Sequence, residues 1–138
     1  MEVHKITDDF SVAPQITPDD VAAIAGAGFR SILCNRPDGE EPGQAAYDDV
    51  ADAARAAGLD ARSVPIVSGV VRQEDAEAFS AAMREMPKPI LAYCRSGTRC
   101  TMLWSISEID ERDADEILRL TRNAGYDMSG LLRQLGKG

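Results

Sequence analysis

A cysteine followed by two arginines and several small residues forms the most reactive segment of this chain. Cys94 ends the apolar run 89–93, and after it come Arg95, Ser96, Gly97, Thr98 and Arg99. The pattern predicts a strand, a tight loop and a helix, which together aim backbone N–H groups and a helix N-terminus at one point. Such a positive field lowers the pKa of a thiol. We therefore expect a nucleophilic cysteine in an anion-binding loop.

Each residue of this loop has a predicted role. Cys94 is the nucleophile, and the guanidinium of Arg99 is expected to bind the transferred group. Gly97 permits the backbone angles of a cradle, while Ser96 and Thr98 offer hydroxyl donors, with Thr98 as a possible helix cap. We expect Arg95 to point outward and attract an anionic substrate. A buried structural cysteine at a strand end would explain the thiol alone, but it does not explain the arginines.

Composition limits the class of protein. The chain has 138 residues, enough for one domain with its own core, and a net charge of −8, which argues against nucleic acid or an anionic membrane as partner. Three cysteines without paired spacing indicate free thiols in a reducing cytoplasm. The N-terminus lacks a basic segment followed by an apolar core, and no apolar run approaches a membrane span. We expect a small cytoplasmic domain.

Strand and helix signals alternate along the chain. Such alternation predicts a single α/β domain over 1–138, with a mainly parallel sheet flanked by helices. Thr17 and Pro18 mark a helix start, and Pro65 is expected to end a strand. The expected strands lie at 3–6, 10–12, 30–34, 60–64 and 89–93, and the expected helices at 17–27, 45–57, 73–86, 99–109, 113–124 and 128–135.

Ligands of parallel sheets bind at the carboxyl ends of the strands, so loops there supply further site candidates. Three loops are expected at that edge, after Cys34, after Val64 and after the strand that ends at Cys94. Arg36 is predicted either to bind the substrate anion or to form an ion pair with Asp38 or Glu41. Asp38 and Asp75 are the candidate general acids, although a turn and a helix dipole respectively also explain them.

The remaining reactive side chains have simpler interpretations. Cys34 is a candidate redox partner that could resolve an oxidised Cys94 into a disulfide, but core packing also explains it. Core packing is likewise the first explanation for Cys100. His4, the only histidine, is expected at the surface or in an edge strand. No cysteine, histidine or carboxylate cluster has metal-ligand spacing and no nucleotide fingerprint follows a strand, so neither a metal nor another cofactor is expected.

Two segments carry a resemblance to known families. The run 94–99 resembles the active loops of rhodanese sulfurtransferases and of cysteine-dependent protein phosphatases. Together with the run 35–44 it resembles the bacterial family called the beta-lactamase-hydrolase-like protein, phosphatase-like domain, also described as a single-domain sulfur transferase family. The likeness covers roughly residues 3 to 110. It implies a cysteine-phosphatase-like α/β fold, with Cys94 as nucleophile and Arg99 as anion binder.

Loop length separates the two activities. The phosphatase pattern places five residues between the cysteine and its arginine, whereas this chain has four, as the rhodanese pattern does. Tyr93 stands where the phosphatase pattern usually has histidine. We therefore expect a sulfurtransferase that moves sulfane sulfur from thiosulfate or a persulfide to a thiol acceptor through a Cys94 persulfide. A cysteine-dependent phosphatase and a redox-sensing or anion-sensing module are the alternatives, and the oligomeric state is left open.

Overall fold

Five strands of four residues each form one sheet in a computed structural model that describes residues 1–136. Their order across the sheet is β1-β2-β5-β3-β4, with β1 antiparallel to β2 and the other neighbours parallel. This confirms the predicted mainly parallel α/β sheet. The strands are β1 (His4–Thr7), β2 (Phe10–Ala13), β3 (Ser31–Cys34), β4 (Asp60–Ser63) and β5 (Ile90–Tyr93).

Six α-helices connect and cover these strands within residues 1–136. The helix predicted over 17–27 begins instead as a 3₁₀ turn, Pro18–Asp20, because the Asp20 carboxylate accepts the Thr17 N–H at 2.9 Å and tightens the first turn. No helix among the described residues is long and apolar enough to cross a membrane. The helices are α1 (Val21–Gly26), α2 (Tyr47–Ala56), α3 (Gln73–Glu85), α4 (Thr98–Glu108), α5 (Ala114–Asn123) and α6 (Ser129–Gln134).

The two faces of the sheet have separate cores. Alternate residues of β5 point to opposite faces, and every residue of β3 and β5 is buried, as expected for strands covered on both sides. One core lies under α3, α4 and α5, where Phe10 packs edge-on against Phe79 and is stacked with Trp104. The other lies under α1 and α2 and contains Leu91 and Tyr93. Strand β5 is therefore fixed from both faces.

A fourth loop reaches the carboxyl edge of the sheet. Because β2 runs parallel to β5, with Ala13 opposite Tyr93, the residues after β2 emerge beside Cys94. The backbone N–H of Gln15 donates to the carbonyl of Arg95 at 3.4 Å. The sequence interpretation placed only three loops at this edge, because nothing in the sequence indicated which strand the segment 10–12 would pair with.

Candidate active site

The loop after β5 turns at a single glycine. Gly97 has φ +92°, in the left-handed region that only glycine adopts without strain, and it is the N-cap of α4. Thr98 was expected as a possible helix cap, but it is instead the first helical residue, and the Ser96 hydroxyl donates to its Oγ1 at 2.9 Å. The turn brings the first N–H groups of α4 back toward the end of β5.

These N–H groups stabilise the Cys94 thiolate. The side chain of Cys94 is fully buried, and the Gly97 N–H donates to its Sγ at 3.0 Å. A hydrogen bond from the Cys100 thiol, together with backbone N–H groups of Cys100, Ser96 and Gly97, lowers the pKa of Cys94 to about 5 against the opposing effect of burial. The thiol is therefore ionised at neutral pH, as a nucleophile requires.

Cys100 is more than a core residue. It lies in the first turn of α4, entirely inside the protein, and burial raises the pKa of its own thiol well above the usual value. A thiol that keeps its proton can donate to the neighbouring thiolate of Cys94, which is what lowers the Cys94 pKa most. Cys100 thus contributes to the thiolate's stability as a neutral donor.

Arg99 is held by a carboxylate that the sequence interpretation did not select. Its Nη1 and Nη2 donate to the two oxygens of Glu40 at 2.8 Å each, and Nη1 also donates to the carbonyl of Ile66 at 2.8 Å. Three of the five guanidinium N–H groups are thus satisfied within residues 1–136. The N–H of Nε and the second N–H of Nη2 have no hydrogen-bond partner among the described residues.

Glu40 also joins Arg99 to Arg36. The side chain of Arg36 is 1% exposed, and its Nε donates to Glu40 at 2.7 Å, its Nη2 to Glu41 at 3.0 Å and its Nη1 to Gln15 at 3.0 Å. Of the two expectations for Arg36, the structure shows the ion pair with Glu41 and none with Asp38 among the described residues. The two guanidiniums hold the pKa of Glu40 down at about 2.

The two candidate acids both bind backbone amides. An Asp38 oxygen accepts the N–H of Tyr47 at 2.9 Å and so caps α2 from a distance. An Asp75 oxygen accepts the N–H of Arg72 at 3.1 Å in a capping box at the start of α3. Each carboxylate therefore stabilises the start of a helix, and this role is sufficient to explain its presence.

The mouth of the site is open and polar. Arg95, Ser96 and Thr98 are exposed there, while Gly97 and Arg99 are buried behind them. A surface pocket of about 530 Å³ lies over the loop, and residues that follow β4 line its opposite side. Its lining residues are Ser68, Gly69, Arg95, Ser96, Thr98, Arg99 and Met102.

Cys34 lies on the neighbouring strand, with its backbone opposite Tyr93 and its side chain buried. Its thiol donates to the carbonyl of Arg36 at 3.2 Å, and burial raises its pKa. Cys34 is thus a protonated thiol near the site. No group of three or more histidine, cysteine or carboxylate side chains within residues 1–136 is placed to hold a metal ion.

Comparisons with known proteins agree with this geometry. The chain matches the family described as "Beta-lactamase hydrolase-like protein, phosphatase-like domain" over residues 2–110. It is 37% identical over 130 residues to a beta-lactamase hydrolase-like protein of Xylella fastidiosa, covering 93% of this chain and 30% of the relative. It is 33% identical to the protein of the same name from Agrobacterium fabrum, covering 98% of this chain and 32% of the relative. The chain therefore spans about a third of the length of these relatives.

A solved structure shows the same fold. A candidate phosphatase from Neisseria meningitidis superimposes with a TM-score of 0.85 at 31% identity, covering 98% of this chain and 96% of the other. The family match and this structural likeness together define an enzyme of the cysteine-phosphatase-like class, with Cys94 at the carboxyl end of the central strand. Within that class, the chain belongs to the family of the phosphatase-like domain of beta-lactamase hydrolase-like proteins. This confirms the resemblance read from the two sequence segments.

Proposed function

We propose that this protein is a sulfurtransferase that carries sulfane sulfur as a persulfide on Cys94. The observation that carries the proposal is the short loop, in which only four residues separate Cys94 from Arg99. Its N–H donors converge on the single sulfur atom of Cys94, with the Gly97 N–H at 3.0 Å. A small cradle of this kind fits the addition of one sulfur atom better than a tetrahedral phosphate.

The charges around the loop support the same activity. The carboxylates of Glu40 and Glu41 pair with the guanidiniums of Arg36 and Arg99, whereas the exposed Arg95 forms no ion pair among the described residues. A dianionic phosphate would need uncompensated positive charge to stabilise its transfer. In sulfur transfer the atom that joins Cys94 carries no oxygens, so the loop has to accommodate only one added atom.

The transfer follows from the thiolate. The Cys94 sulfur attacks the sulfane sulfur of thiosulfate, a new S–S bond forms, the S–S bond of thiosulfate breaks, and sulfite leaves with the electron pair. A small thiol then attacks the outer sulfur of the persulfide, takes it away and returns Cys94 to a thiolate. Because sulfite and thiolate are good leaving groups, neither step needs a general acid. Arg95 at the mouth would attract the anionic donor.

The second candidate is a cysteine-dependent phosphatase. The family description and the Neisseria candidate phosphatase favour it, as does the Nε edge of Arg99, which can bind two oxygens of a phosphoryl group. Cys94 would form a phosphocysteine, and Asp38 or Asp75 would protonate the leaving oxygen. That step would require either aspartate to leave the backbone amide that it now caps.

A mass measurement separates the two candidates. After incubation with thiosulfate, the wild-type protein is expected to gain about 32 Da, one sulfur atom, because the persulfide remains on the enzyme until an acceptor arrives. Peptide mapping should place this mass on Cys94, and Cys94→Ala should not gain it. Cys34→Ala removes another buried thiol and serves as the matched control, which should keep the adduct.

The same preparation is then tested for release of phosphate from an aryl phosphate. Turnover that depends on Cys94, in a protein that gains no sulfur, would overturn the sulfurtransferase and establish the second candidate. Sulfur loading followed by transfer to glutathione or cyanide would establish the first.

The two aspartates provide an independent test. In Asp38→Asn and Asp75→Asn the side chain keeps an oxygen for its backbone amide but can no longer release a proton. Sulfur transfer, which needs no acid, is expected to stay within about twofold of wild type in both variants. A phosphatase would lose about 100-fold in turnover when its acid is replaced. Steady-state rates measured with thiosulfate and with an aryl phosphate distinguish the two mechanisms. A large loss of sulfur transfer in either variant would contradict our mechanism.

A further inference from the structure

One peptide group of the active loop is hydrogen-bonded at both ends. The peptide between Ser96 and Gly97 presents its N–H to the Sγ of Cys94 at 3.0 Å. Its carbonyl, on Ser96, accepts the hydroxyl of Tyr126 at 2.9 Å. Because both bonds belong to a single rigid plane, the orientation of one fixes the orientation of the other.

Tyr126 is itself well fixed. It follows the end of α5, where its N–H donates to the carbonyl of Thr121 at 2.9 Å, and its half-buried ring packs against the core. On the far side the ring meets His4 of β1 edge-on, with the ring centroids 5.7 Å apart. The hydroxyl therefore reaches the loop from a position set by the end of α5, by β1 and by the core.

The Tyr126 side chain lies closest to the loop at Gly97. A Cβ atom added there would lie well inside van der Waals distance of the Tyr126 hydroxyl oxygen and 3.0 Å from Cζ of the same ring. The ring thus occupies the space beside the peptide, and the peptide cannot rotate toward it. Tyr126 also lies outside residues 2–110, over which the chain matches its family.

We propose that Tyr126 is a positioning residue, which acts through the Ser96–Gly97 peptide to aim its N–H at the Cys94 thiolate. A peptide that accepts at its oxygen is also polarised to donate more strongly at its nitrogen. Without the hydroxyl, the peptide can turn its N–H toward solvent, and the thiolate loses one of its donors. The inference rests on the proposed role of Cys94 as the nucleophile, but its test does not require sulfur transfer.

Several ionisable groups share the surroundings of the thiolate, and the test has to leave them in place. They are Cys34 on β3, Arg99 and Cys100 on α4, and the Tyr126 hydroxyl itself, whose pKa burial raises to about 12. Tyr126→Phe keeps the ring and changes none of the other groups. The hydroxyl stays protonated across the pH range of the experiment, so its removal alters a hydrogen bond rather than a charge.

The experiment is the pH profile of Cys94 alkylation by iodoacetamide, followed by peptide mass. In Tyr126→Phe the pKa from the profile is expected to rise by about one unit, since loss of part of a charge-assisted bond is worth about that much. The rate at pH 5 should then fall about fivefold, while the rate at pH 8 stays unchanged because the thiol is ionised in both proteins. Tyr126→Met, which fills the same space with a flexible apolar chain, should show the same shift.

Tyr47→Phe is the matched control, because Tyr47 is also a half-buried tyrosine but lies at the start of α2. Its profile should equal that of wild type. A wild-type profile in both Tyr126 variants would overturn the proposal. A protein that shows the Tyr126 shift but forms no persulfide would overturn the proposed function and leave the positioning role intact.

Discussion

Glu40→Gln is expected to unfold about 3 kcal/mol more easily than the wild-type protein, since it leaves two buried guanidiniums without their shared carboxylate, although the Glu40 side chain itself is 24% exposed. Glu40 is the single carboxylate that contacts both Arg36 and Arg99 within residues 1–136. Arg36 has almost no exposed surface through which water could replace the lost partner. Urea denaturation monitored by the fluorescence of Trp104 measures the difference.

The same substitution is expected to slow sulfur loading of Cys94 at least tenfold. A neutral amide can satisfy only part of the two-oxygen bond to Arg99, so the guanidinium loses its fixed orientation beside the thiolate.

The effect of Glu40→Gln on stability should also depend on pH. The pKa of Glu40 is about 2 in the folded protein, below its usual 4.5, so its contribution is complete above pH 4.5 and is lost as the pH falls toward 2. Wild type and variant should therefore converge in acid.

Glu41→Gln is the control for this prediction. Glu41 contacts the same Arg36 guanidinium, but its side chain is 47% exposed and it has no bond to Arg99. We expect a loss of less than about 1 kcal/mol and no change in loading rate, as for other exposed ion pairs. Equal losses in the two variants would contradict a special role for Glu40.

Gly97→Ala is expected to destabilise the protein by about 3 kcal/mol and to remove most of the reactivity of Cys94 at pH 5. Part of the cost is the positive φ of +92°, which an alanine adopts with strain. The rest is the clash of the new methyl group with Tyr126. Because the loop must shift to relieve the clash, the Gly97 N–H moves away from Sγ. Alkylation rates and urea denaturation report the two losses.

Gly28→Ala isolates the cost of strain. Gly28 has φ +97° and no atom within 4 Å of an added Cβ, so only the backbone penalty of about 1 kcal/mol should appear. In the double variant Gly97→Ala/Tyr126→Phe the clash with the hydroxyl oxygen is removed, and the combined loss should be smaller than the sum of the single losses. Additive losses would show that the methyl group and the Tyr126 hydroxyl do not compete for the same space.

The arrangement of strands and helices was predictable from the sequence because the elements are short and clearly bounded. Apolar four-residue runs such as Ile90–Tyr93 and the glycines after the helices mark each boundary, and the structure shows every predicted strand and helix, with ends that differ by a few residues. The exception is the first helix, whose 3₁₀ start depends on the side chain of Asp20. The parallel pairing of β2 with β5 was not predicted, because residues that pair across 80 positions leave no local pattern.

The residues of the site also fall into those that the sequence predicts and those that it does not. Cys94, Gly97 and Arg99 lie within one contiguous loop, so their proximity follows from chain connectivity. Glu40 and Tyr126 reach that loop from distant segments, and nothing in their neighbouring residues indicates this. The spacing of Arg36 and Glu40 suggests only a local ion pair. Glu40 contacts Arg99 only because the tertiary fold brings the two together. The local sequence around either residue does not specify that contact.

The place of β5 in the sheet has a consequence for how the protein is made. Its two neighbours, β2 and β3, are both synthesised long before it, and neither pairs with the other. The facing edges of β2 and β3 are therefore paired only when residues 90–93 insert between them. That insertion closes contacts of long sequence separation, a slow step in folding. Insertion of β5 therefore joins the two halves of the sheet and places Cys94 at its carboxyl edge in the same step, before the later residues that lower the Cys94 pKa can take their positions.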